Sequence, residues 1–232
     1  MLTTSPHLPR SPKYPLDLLL FDLDGTLLDS SDGIFDAIKH AFIRHQLKVD
    51  FNADTLRQHA GRGVEFLLKK INKQLTREQL YDLKHDAFMH YQQHAADMTH
   101  PFIGAHELMS TLHQQRINWG IVTSKTRKLT EAVIAKVPQY QDTRIVICAD
   151  DLSYKKPHPM PILHALKMLN KIPQHAAYIG DTKPDMLAAK HAHCYRIFAD
   201  YGYEANTMND DDYDLKISNL EQLRQWIIYT LV

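Results

Sequence analysis

Cysteine is scarce in this chain, which has two cysteines among its 232 residues, Cys148 and Cys194. Each lies in an apolar segment that predicts a buried strand. Small domains that depend on disulfides carry several cysteines at close spacing. We therefore expect two reduced thiols in the core of a protein from a reducing compartment, and no disulfide framework.

An excess of either charge is also absent, because Lys+Arg and Asp+Glu both number 27. Nucleic acids and anionic membrane surfaces favour basic partners. The balance therefore weighs against both as main partners, and we expect neither nucleic acid nor membrane to be bound.

Long apolar runs are missing, and no stretch is long enough to cross a bilayer. Residues 1–15 contain four prolines and lack the apolar core of a signal peptide. We interpret them as a flexible proline-rich tail and predict a cytoplasmic protein.

Zinc-binding patterns are missing as well. The chain has 15 histidines, but no H-E-x-x-H motif and no pairing of cysteine with histidine at zinc spacing. We expect most of the histidines on the surface rather than in a metal site.

What the sequence does have is a regular alternation of apolar runs and amphipathic helices. This alternation predicts an α/β fold, with a Rossmann-like parallel sheet core and helices on both faces. The five predicted strands are Leu18–Phe21, Trp119–Thr123, Arg144–Cys148, Ala176–Gly180 and Cys194–Phe198.

One long segment interrupts the alternation, since residues 32–102 contain helical patterns and no convincing strand. We predict an inserted helical cap domain there, with a core domain formed by residues 16–31 and 103–232. Thr76 with Gln79, and Ser218 with Glu221, predict capping boxes at the starts of two helices.

The first strand ends abruptly in two acids. Asp22 and Asp24 are two residues apart, so on an extended chain their side chains point the same way. Gly25 then lets the backbone leave the strand direction. Buried carboxylates are costly without a compensating charge, and ligands of α/β sheets bind at this end of the strands. The pair therefore predicts a site for a cation and a substrate.

Three further polar groups follow later strands. Thr123 and Ser124 offer a hydroxyl and free backbone N–H groups at a helix start, an arrangement that suits a phosphate. A lysine, Lys155 or Lys156, precedes two prolines that hold the chain extended. Taken singly, each is also typical of an ordinary N-cap or an exposed basic turn.

The last group is an acidic one, Asp181 directly after a strand and Asp185 at the start of the next helix. Two carboxylates about 4 Å apart repel by about 4 kcal/mol at an effective dielectric constant of 20. Asp22, Asp181 and Asp185 would suffer several such repulsions, and a phosphate would add more. A divalent cation with oxygen ligands is implied, and Mg²⁺ fits best.

The motifs F-D-L-D-G-T-L-L-D-S, V-T-S-K, K-P-H-P and G-D-T-x-x-D, in this order, resemble those of the haloacid dehalogenase-like (HAD) phosphatases. The helical insert between the first two motifs resembles the cap of the phosphoglycolate phosphatase-type branch. The resemblance implies a HAD-like core in which Asp22 is the nucleophile that forms an aspartyl-phosphate. Asp24 is implied to be the general acid and base, with its backbone carbonyl facing the metal.

The same resemblance implies that Thr123 and Ser124 bind the transferring phosphoryl group, Ser124 through its backbone N–H. Lys156 would steady the nucleophile and the phosphate, with Lys155 ranked second. Asp181 would ligate Mg²⁺ and Asp185 would support it, which completes a metal set with Asp22 and Asp24. The family often has asparagine where Ser124 stands.

The cap is expected to choose the substrate. Arg62 lies between Gly61 and Gly63 just before a helix, where it could bind a substrate carboxylate with two hydrogen bonds. The leading expectation is a Mg²⁺-dependent phosphatase of a small phosphorylated metabolite, 2-phosphoglycolate. A sugar-phosphate phosphatase, a pyrophosphatase, a phosphomutase and a non-catalytic phosphate-binding module remain open.

Overall fold

One parallel sheet organises the computed structural model of the chain, which describes residues 10–94 and 97–231. This sheet confirms the predicted α/β fold class. Within those residues the strands are β1 (Leu18–Phe21), β2 (Leu28–Asp29), β3 (His100–Pro101), β4 (Asn118–Val122), β5 (Val146–Ile147), β6 (Ala176–Gly180), β7 (Tyr195–Ala199) and β8 (Leu215–Ile217).

The helices fall into a group within the inserted segment and a group that packs around the sheet. The α-helices are α1 (Ser31–Arg44), α2 (Ala53–Arg57), α3 (Val64–Ile71), α4 (Arg77–His94), α5 (Ala105–Gln114), α6 (Arg127–Ile134), α7 (Met160–Met168), α8 (Lys183–His191) and α9 (Leu220–Leu231). In the described part of the chain, none of them combines the length and the apolar character that a membrane crossing requires.

The main sheet has the strand order β5-β4-β1-β6-β7-β8, and its neighbouring strands are parallel. Leu18 of the central strand β1 pairs with Asn118 of β4 on one side and with Ala176 of β6 on the other. The chain builds outward to β5 and then crosses β1 to begin the other half at β6. The strand order therefore reverses beside β1, which is where α/β sheets bind ligands.

The central strand is buried on both faces. Leu19 and Phe21 join a large apolar cluster on one face, whereas Leu18 and Leu20 join a second cluster on the other. A strand covered on both faces needs an uninterrupted apolar run, which explains why Leu18–Phe21 contains no polar residue. Full burial of each such side chain contributes about 1.5–3 kcal/mol, so β1 is firmly anchored where it meets the acids.

The inserted segment leaves and rejoins the core through two paired linkers. β2 and β3 form an antiparallel pair, with Leu28 opposite Pro101 and Asp29 opposite His100. Between them, α1 packs along α4. The short strand β3 corrects the expectation that residues 32–102 contain no strand. The domain boundaries 16–31, 32–102 and 103–232 remain our proposal.

Other details of the strand prediction are wrong. β5 has two residues instead of five, so Arg144 and Cys148 lie outside it, and β7 begins after Cys194. Both thiols are nevertheless buried and free. The short strand β8 was not predicted, because three residues with one exposed lysine carry too little pattern.

The two predicted capping boxes have different outcomes. Gln79 N donates to Thr76 Oγ1 at 3.1 Å and Thr76 N donates to Gln79 Oε1 at 3.0 Å, which confirms the first box. The second is wrong, because α9 is capped by Asn219, whose side chain accepts from Gln222 N at 2.8 Å. An asparagine one residue further on is an equally good cap.

The predicted flexible tail falls largely outside the described residues, which begin at Arg10. Arg10 forms an ion pair with Asp211 at 3.0 Å, and its backbone N–H donates to Asp214 O at 3.0 Å. Tyr14 stacks on His175. These contacts attach the chain to the core from residue 10 onwards, and a flexible segment remains a prediction for residues 1–9.

Candidate active site

Polar side chains from four adjacent strands meet at the carboxyl edge of the sheet. Asp22 directly follows β1, Thr123 follows β4 and Asp181 follows β6. Lys156 arrives from the loop between β5 and α7. Because β5, β4, β1 and β6 are neighbours in the sheet, the structure brings these four residues together at the point where the strand order reverses.

The Lys156 ammonium lies at the centre of this group, and its side chain is 2% exposed. Its Nζ lies 3.0 Å from Asp22 Oδ1 and 2.6 Å from Asp185 Oδ1. The hydroxyl of Tyr178 lies 2.9 Å away. Lys155, by contrast, is exposed. Of the two candidate lysines, Lys156 is the one that contacts the nucleophile candidate.

Asp181 is held rigidly from both sides. Its Oδ1 accepts from Thr26 Oγ1 at 3.0 Å, and its Oδ2 accepts from Tyr203 N at 2.7 Å. Gly25 has φ +84°, and a Cβ there would lie 2.2 Å from Asp181 Oδ2. Gly25 is therefore required both for the turn and for the room that the carboxylate occupies.

Asp185 has a different role from Asp181. Its Oδ2 accepts from Thr182 N at 3.0 Å and from Thr182 Oγ1 at 2.6 Å, which closes the N-terminus of α8. Its Oδ1 accepts from Lys156. Both oxygens thus have donors, so Asp185 supports the site by fixing the lysine and the helix start.

Three buried carboxylates form a group that could hold a metal ion. One oxygen from each of Asp22, Asp181 and Asp185 lies within 4.8 Å of the others. Hard divalent cations prefer carboxylate oxygens, so the donor set fits such an ion. The carboxylate of Asp24 lies outside this group; the expectation for Asp24 concerned its backbone carbonyl, and it stays a prediction.

The pKa shifts of these carboxyl groups also favour a bound cation. Burial raises the pKa of Asp22 from 3.8 to about 7; Lys156 opposes the rise and Asp185 adds to it. Burial also raises the pKa of Asp181 well above its ordinary value, with further contributions from Asp185 and Asp22. One ammonium does not compensate three buried carboxylates, so the site is short of positive charge.

The Asp24 carboxylate lies outside the metal group and, like Asp22, lines the cleft. Its Oδ1 accepts from Ser30 Oγ at 2.7 Å and lies 2.9 Å from Lys125 Nζ. The side chain is 19% exposed. The two acids of the first motif therefore have separate partners, Lys156 for Asp22 and Lys125 with Ser30 for Asp24.

The core and the cap enclose a cleft of about 1230 Å³ above these residues. Thr123 and Ser124 line it from the core, and Arg62 lines it from the cap. The Arg62 guanidinium lies 3.8 Å from the centroid of the Phe66 ring, which is a cation–π contact. The structure thus places Arg62 at the cleft.

Sequence reasoning missed several residues of the site. Lys125 was visible in V-T-S-K, but no role was assigned to it. Thr26 was visible in the first motif, again with no role assigned. Tyr178 and Tyr203 carry no local signal, because their contacts with Lys156 and Asp181 each join residues 22 positions apart. Only the fold reveals them.

The fold and the site define a protein with a parallel α/β sheet, a helical insert and a carboxylate-rich cleft. The model of the haloacid dehalogenase-like hydrolase family matches residues 19–199, and the chain belongs to this family. The resemblance drawn from the four motifs is thereby confirmed.

Curated relatives narrow the type of hydrolase. The phosphoglycolate phosphatase of Colwellia psychrerythraea is 30% identical over 194 residues, which cover 81% of this chain and 85% of that protein. The N-acetylmuramic acid 6-phosphate phosphatase of Pseudomonas aeruginosa is 27% identical over 189 residues, 81% of this chain and 83% of that protein. The chain is an enzyme of the phosphoglycolate phosphatase-like type, a phosphatase.

Solved structures agree on the architecture. A structure described as a predicted phosphoglycolate phosphatase from Haemophilus somnus has a TM-score of 0.83 at 21% identity, and the match covers 92% of this chain and 99% of that one. At this identity the likeness shows the fold alone.

The raised pKa of Asp22 leads to a prediction about stability. A group whose pKa is raised by folding stabilises the protein below its unfolded pKa, and that stability is lost as the pH rises through the folded value, here about 7. Without a divalent cation, Tm should fall between about pH 5 and about pH 8. Magnesium chloride should raise Tm by several degrees at the higher pH and little at the lower one.

Thermal melts at both pH values, with sodium chloride at matched ionic strength, measure this effect. Asp181→Asn should abolish most of the magnesium response, whereas Asp54→Asn, an exposed aspartate outside the cleft, should keep it. An equal magnesium response at both pH values, or in the Asp181→Asn protein, would contradict a cation site at these carboxylates.

Proposed function

We propose that this chain is a Mg²⁺-dependent phosphomonoesterase that works through an aspartyl-phosphate on Asp22. The observation that carries the proposal is the pairing of Asp22 with Lys156 next to Asp181, while Asp24 faces the cleft. A carboxylate held ready beside a cation site, with a second carboxyl group two residues on, is what covalent phosphoryl transfer needs.

The donor set supports magnesium as the metal. Asp22 and Asp181 would hold the ion, the backbone carbonyl of Asp24 would face it, and Asp185 would support it from behind. When bound, the ion supplies positive charge that offsets the carboxylates and the oxygens of the transferring phosphoryl group. Lys156 adds its own positive charge beside Asp22.

The first half-reaction transfers the phosphoryl group to the enzyme. An oxygen of Asp22 forms a bond to phosphorus while the ester P–O bond breaks and leaves its electron pair on the departing oxygen. Asp24 gives its proton to that oxygen, so the product leaves as an alcohol. Thr123 and the backbone N–H of Ser124 hold the equatorial phosphoryl oxygens.

The second half-reaction restores the enzyme. A water oxygen attacks phosphorus, Asp24 takes the proton from that water, and the Asp22 carboxylate departs with the electron pair of the broken bond. Asp24 thereby serves as acid in one step and as base in the next, which is why it must face the cleft rather than the metal group.

The leading substrate is 2-phosphoglycolate. Two observations support it: relatives named phosphoglycolate phosphatase match most of the chain, and Arg62 lines the cleft opposite the core motifs. A guanidinium at this position can bind the carboxylate of the leaving group with two hydrogen bonds, a contact that a neutral alcohol would not make.

A sugar-phosphate substrate is the second candidate, and the size of the cleft favours it. A volume of about 1230 Å³ exceeds what a two-carbon leaving group fills. Tyr81, Phe88 and Leu129 supply apolar lining against which a sugar ring could pack. A relative named for N-acetylmuramic acid 6-phosphate is consistent with this alternative.

The remaining alternatives have less support. Nothing in the cleft particularly favours a pyrophosphatase or a phosphomutase, and membership among phosphatases argues against a non-catalytic phosphate-binding module. Small phosphorylated metabolites are the proposed partners, without nucleic acid or membrane, and a cytoplasmic location is kept as a prediction from the composition.

The nucleophile gives the most direct mutational prediction. Asp22→Asn keeps the shape of the side chain but removes the attacking charge, so turnover of p-nitrophenyl phosphate should fall by about three orders of magnitude or more. Steady-state kinetics with magnesium measure the loss, and Tm verifies folding. Asp54→Asn should retain normal turnover, and a folded Asp22→Asn protein with near-normal activity would refute the covalent mechanism.

Substrate choice gives a second prediction. Arg62→Ala removes a charge-assisted contact worth about 1.5–3 kcal/mol, so kcat/KM for 2-phosphoglycolate should fall about 10- to 200-fold. The value for p-nitrophenyl phosphate, which lacks a carboxylate, should change less than about threefold.

Arg77→Ala is the matched control, since Arg77 is an exposed arginine of the same cap that does not line the cleft. It should leave both substrates unaffected. If Arg62→Ala lowers both values equally or neither of them, Arg62 does not bind a carboxylate, and the sugar-phosphate alternative gains support.

A further inference from the structure

Lys125 is a buried cation to which the reaction outlined above assigns no task. Its side chain is 5% exposed, although the residue lies at the edge of an open cleft. Its Nζ lies 2.9 Å from Asp24 Oδ1 and donates to the Tyr91 hydroxyl at 2.7 Å. Asp24 belongs to the core, whereas Tyr91 belongs to α4 of the cap.

The backbone of Lys125 is fixed by the core. Its N–H donates to Thr123 Oγ1 at 3.1 Å, and its carbonyl accepts from Ala149 N at 3.0 Å. The side chain therefore starts from a rigid point beside the phosphate-binding residue Thr123. Its ammonium reaches Asp24 from a direction that the sheet determines.

The ammonium also stays charged. Burial lowers the pKa of Lys125, but Asp24 and Tyr91 outweigh that effect and raise the pKa above its ordinary value. Among the residues that the structure describes, Lys125 and Ser30 contact the Asp24 carboxylate. Loss of the ammonium would leave one hydroxyl to set the orientation of that carboxylate.

The Tyr91 ring is held in place by packing against another helix of the cap. A Cβ at Gly33 of α1 would lie 3.2 Å from Tyr91 Cε2, so the ring lies closely against the first turn of α1. The Lys125 ammonium also lies 4.7 Å from the centroid of the Tyr91 ring. The phenol thus moves with α1 and α4, and it contacts the same nitrogen that holds Asp24.

We propose that Lys125 is a positioning residue for Asp24, and that Tyr91 makes this positioning depend on the place of the cap. The inference rests on the proposed function, because it assigns Lys125 to the proton transfer that Asp24 performs. Lys125 holds the carboxyl group towards the leaving oxygen, and the hydroxyl of Tyr91 holds the ammonium.

This role predicts a dependence on the leaving group that a purely structural role would not produce. An alkoxide needs a proton as the ester bond breaks, whereas p-nitrophenolate departs without one. A misplaced acid therefore lowers kcat/KM for alkyl phosphates and leaves kcat/KM for p-nitrophenyl phosphate nearly unchanged. This parameter reports the steps up to phosphoryl transfer to Asp22. General damage to the fold would slow both.

The test compares Lys125→Met with the control Lys128→Met, which changes an exposed lysine three residues further on. The substrates are p-nitrophenyl phosphate, phenyl phosphate and the alkyl phosphate 2-phosphoglycolate. Lys125→Met should lower kcat/KM for the alkyl phosphate about 100-fold, at the low end of general acid–base contributions, and for p-nitrophenyl phosphate less than about threefold. Lys128→Met should match wild type.

Two further variants keep the test decisive if Lys125→Met folds poorly. Tyr91→Phe removes one oxygen and should produce a smaller loss, about 3- to 10-fold, with the same preference for alkyl phosphates. In an Asp24→Asn background, Lys125→Met should cause little additional loss, because residues that act as a unit are not additive.

The outcomes separate the two proposals. Equal losses on all substrates, or full additivity with Asp24→Asn, would show that Lys125 is structural and would overturn this inference while the phosphatase mechanism stands. If the wild-type protein does not hydrolyse these esters, or does so without Asp22, the proposed function itself fails.

Discussion

The contact on which the site depends is the one between the Lys156 ammonium and the carboxylates of Asp22 and Asp185. Buried ion pairs of this kind add little net stability, because desolvation offsets most of the attraction. Removing either partner, however, leaves an unpaired buried charge, which costs several kcal/mol. The ion pair therefore orients Asp22 more than it stabilises the fold. It holds the Asp22 side chain in one orientation at the end of a rigid strand.

The topology explains how such a contact can form. Lys156 and Asp185 come from opposite halves of the sheet, and β1 with Asp22 lies between them. The crossover beside β1 opens a crevice in which the carboxyl ends of both halves face one another. The Lys156 ammonium contacts Asp22 in this crevice, and Asp181 would help to hold a compensating metal beside the same carboxylate.

Much of this could be predicted from the sequence, because the informative residues follow strands whose apolar runs are long and uninterrupted. Asp22, Thr123 and Asp181 each lie one residue beyond such a run, so their convergence at one edge followed from the parallel direction of the predicted strands, whose order was not predicted. Short elements such as β8 were not predicted, since three residues carry no usable periodicity. The cap at Asn219 was missed because Ser218 and Asn219 are both good capping residues.

Contacts between distant segments could not be predicted. Lys125 meets Tyr91 only because α4 of the cap packs against α6 of the core, and nothing local to either residue signals it. Tyr203 reaches Asp181 through its backbone N–H, which no side-chain motif records. The sequence thus indicates which chemistry is present, whereas the tertiary structure decides which side chains position it.

The central claim is that Asp22 carries the phosphoryl group during turnover, and chemical trapping tests it most directly. The enzyme is quenched while it hydrolyses substrate with magnesium, treated with borohydride and digested for peptide mass spectrometry. An aspartyl-phosphate is reduced to an alcohol, so the account predicts a reduced side chain at position 22, dependent on substrate and at no other aspartate. Reduction at a different residue, or none at Asp22 in a sample that is turning over, would contradict the account.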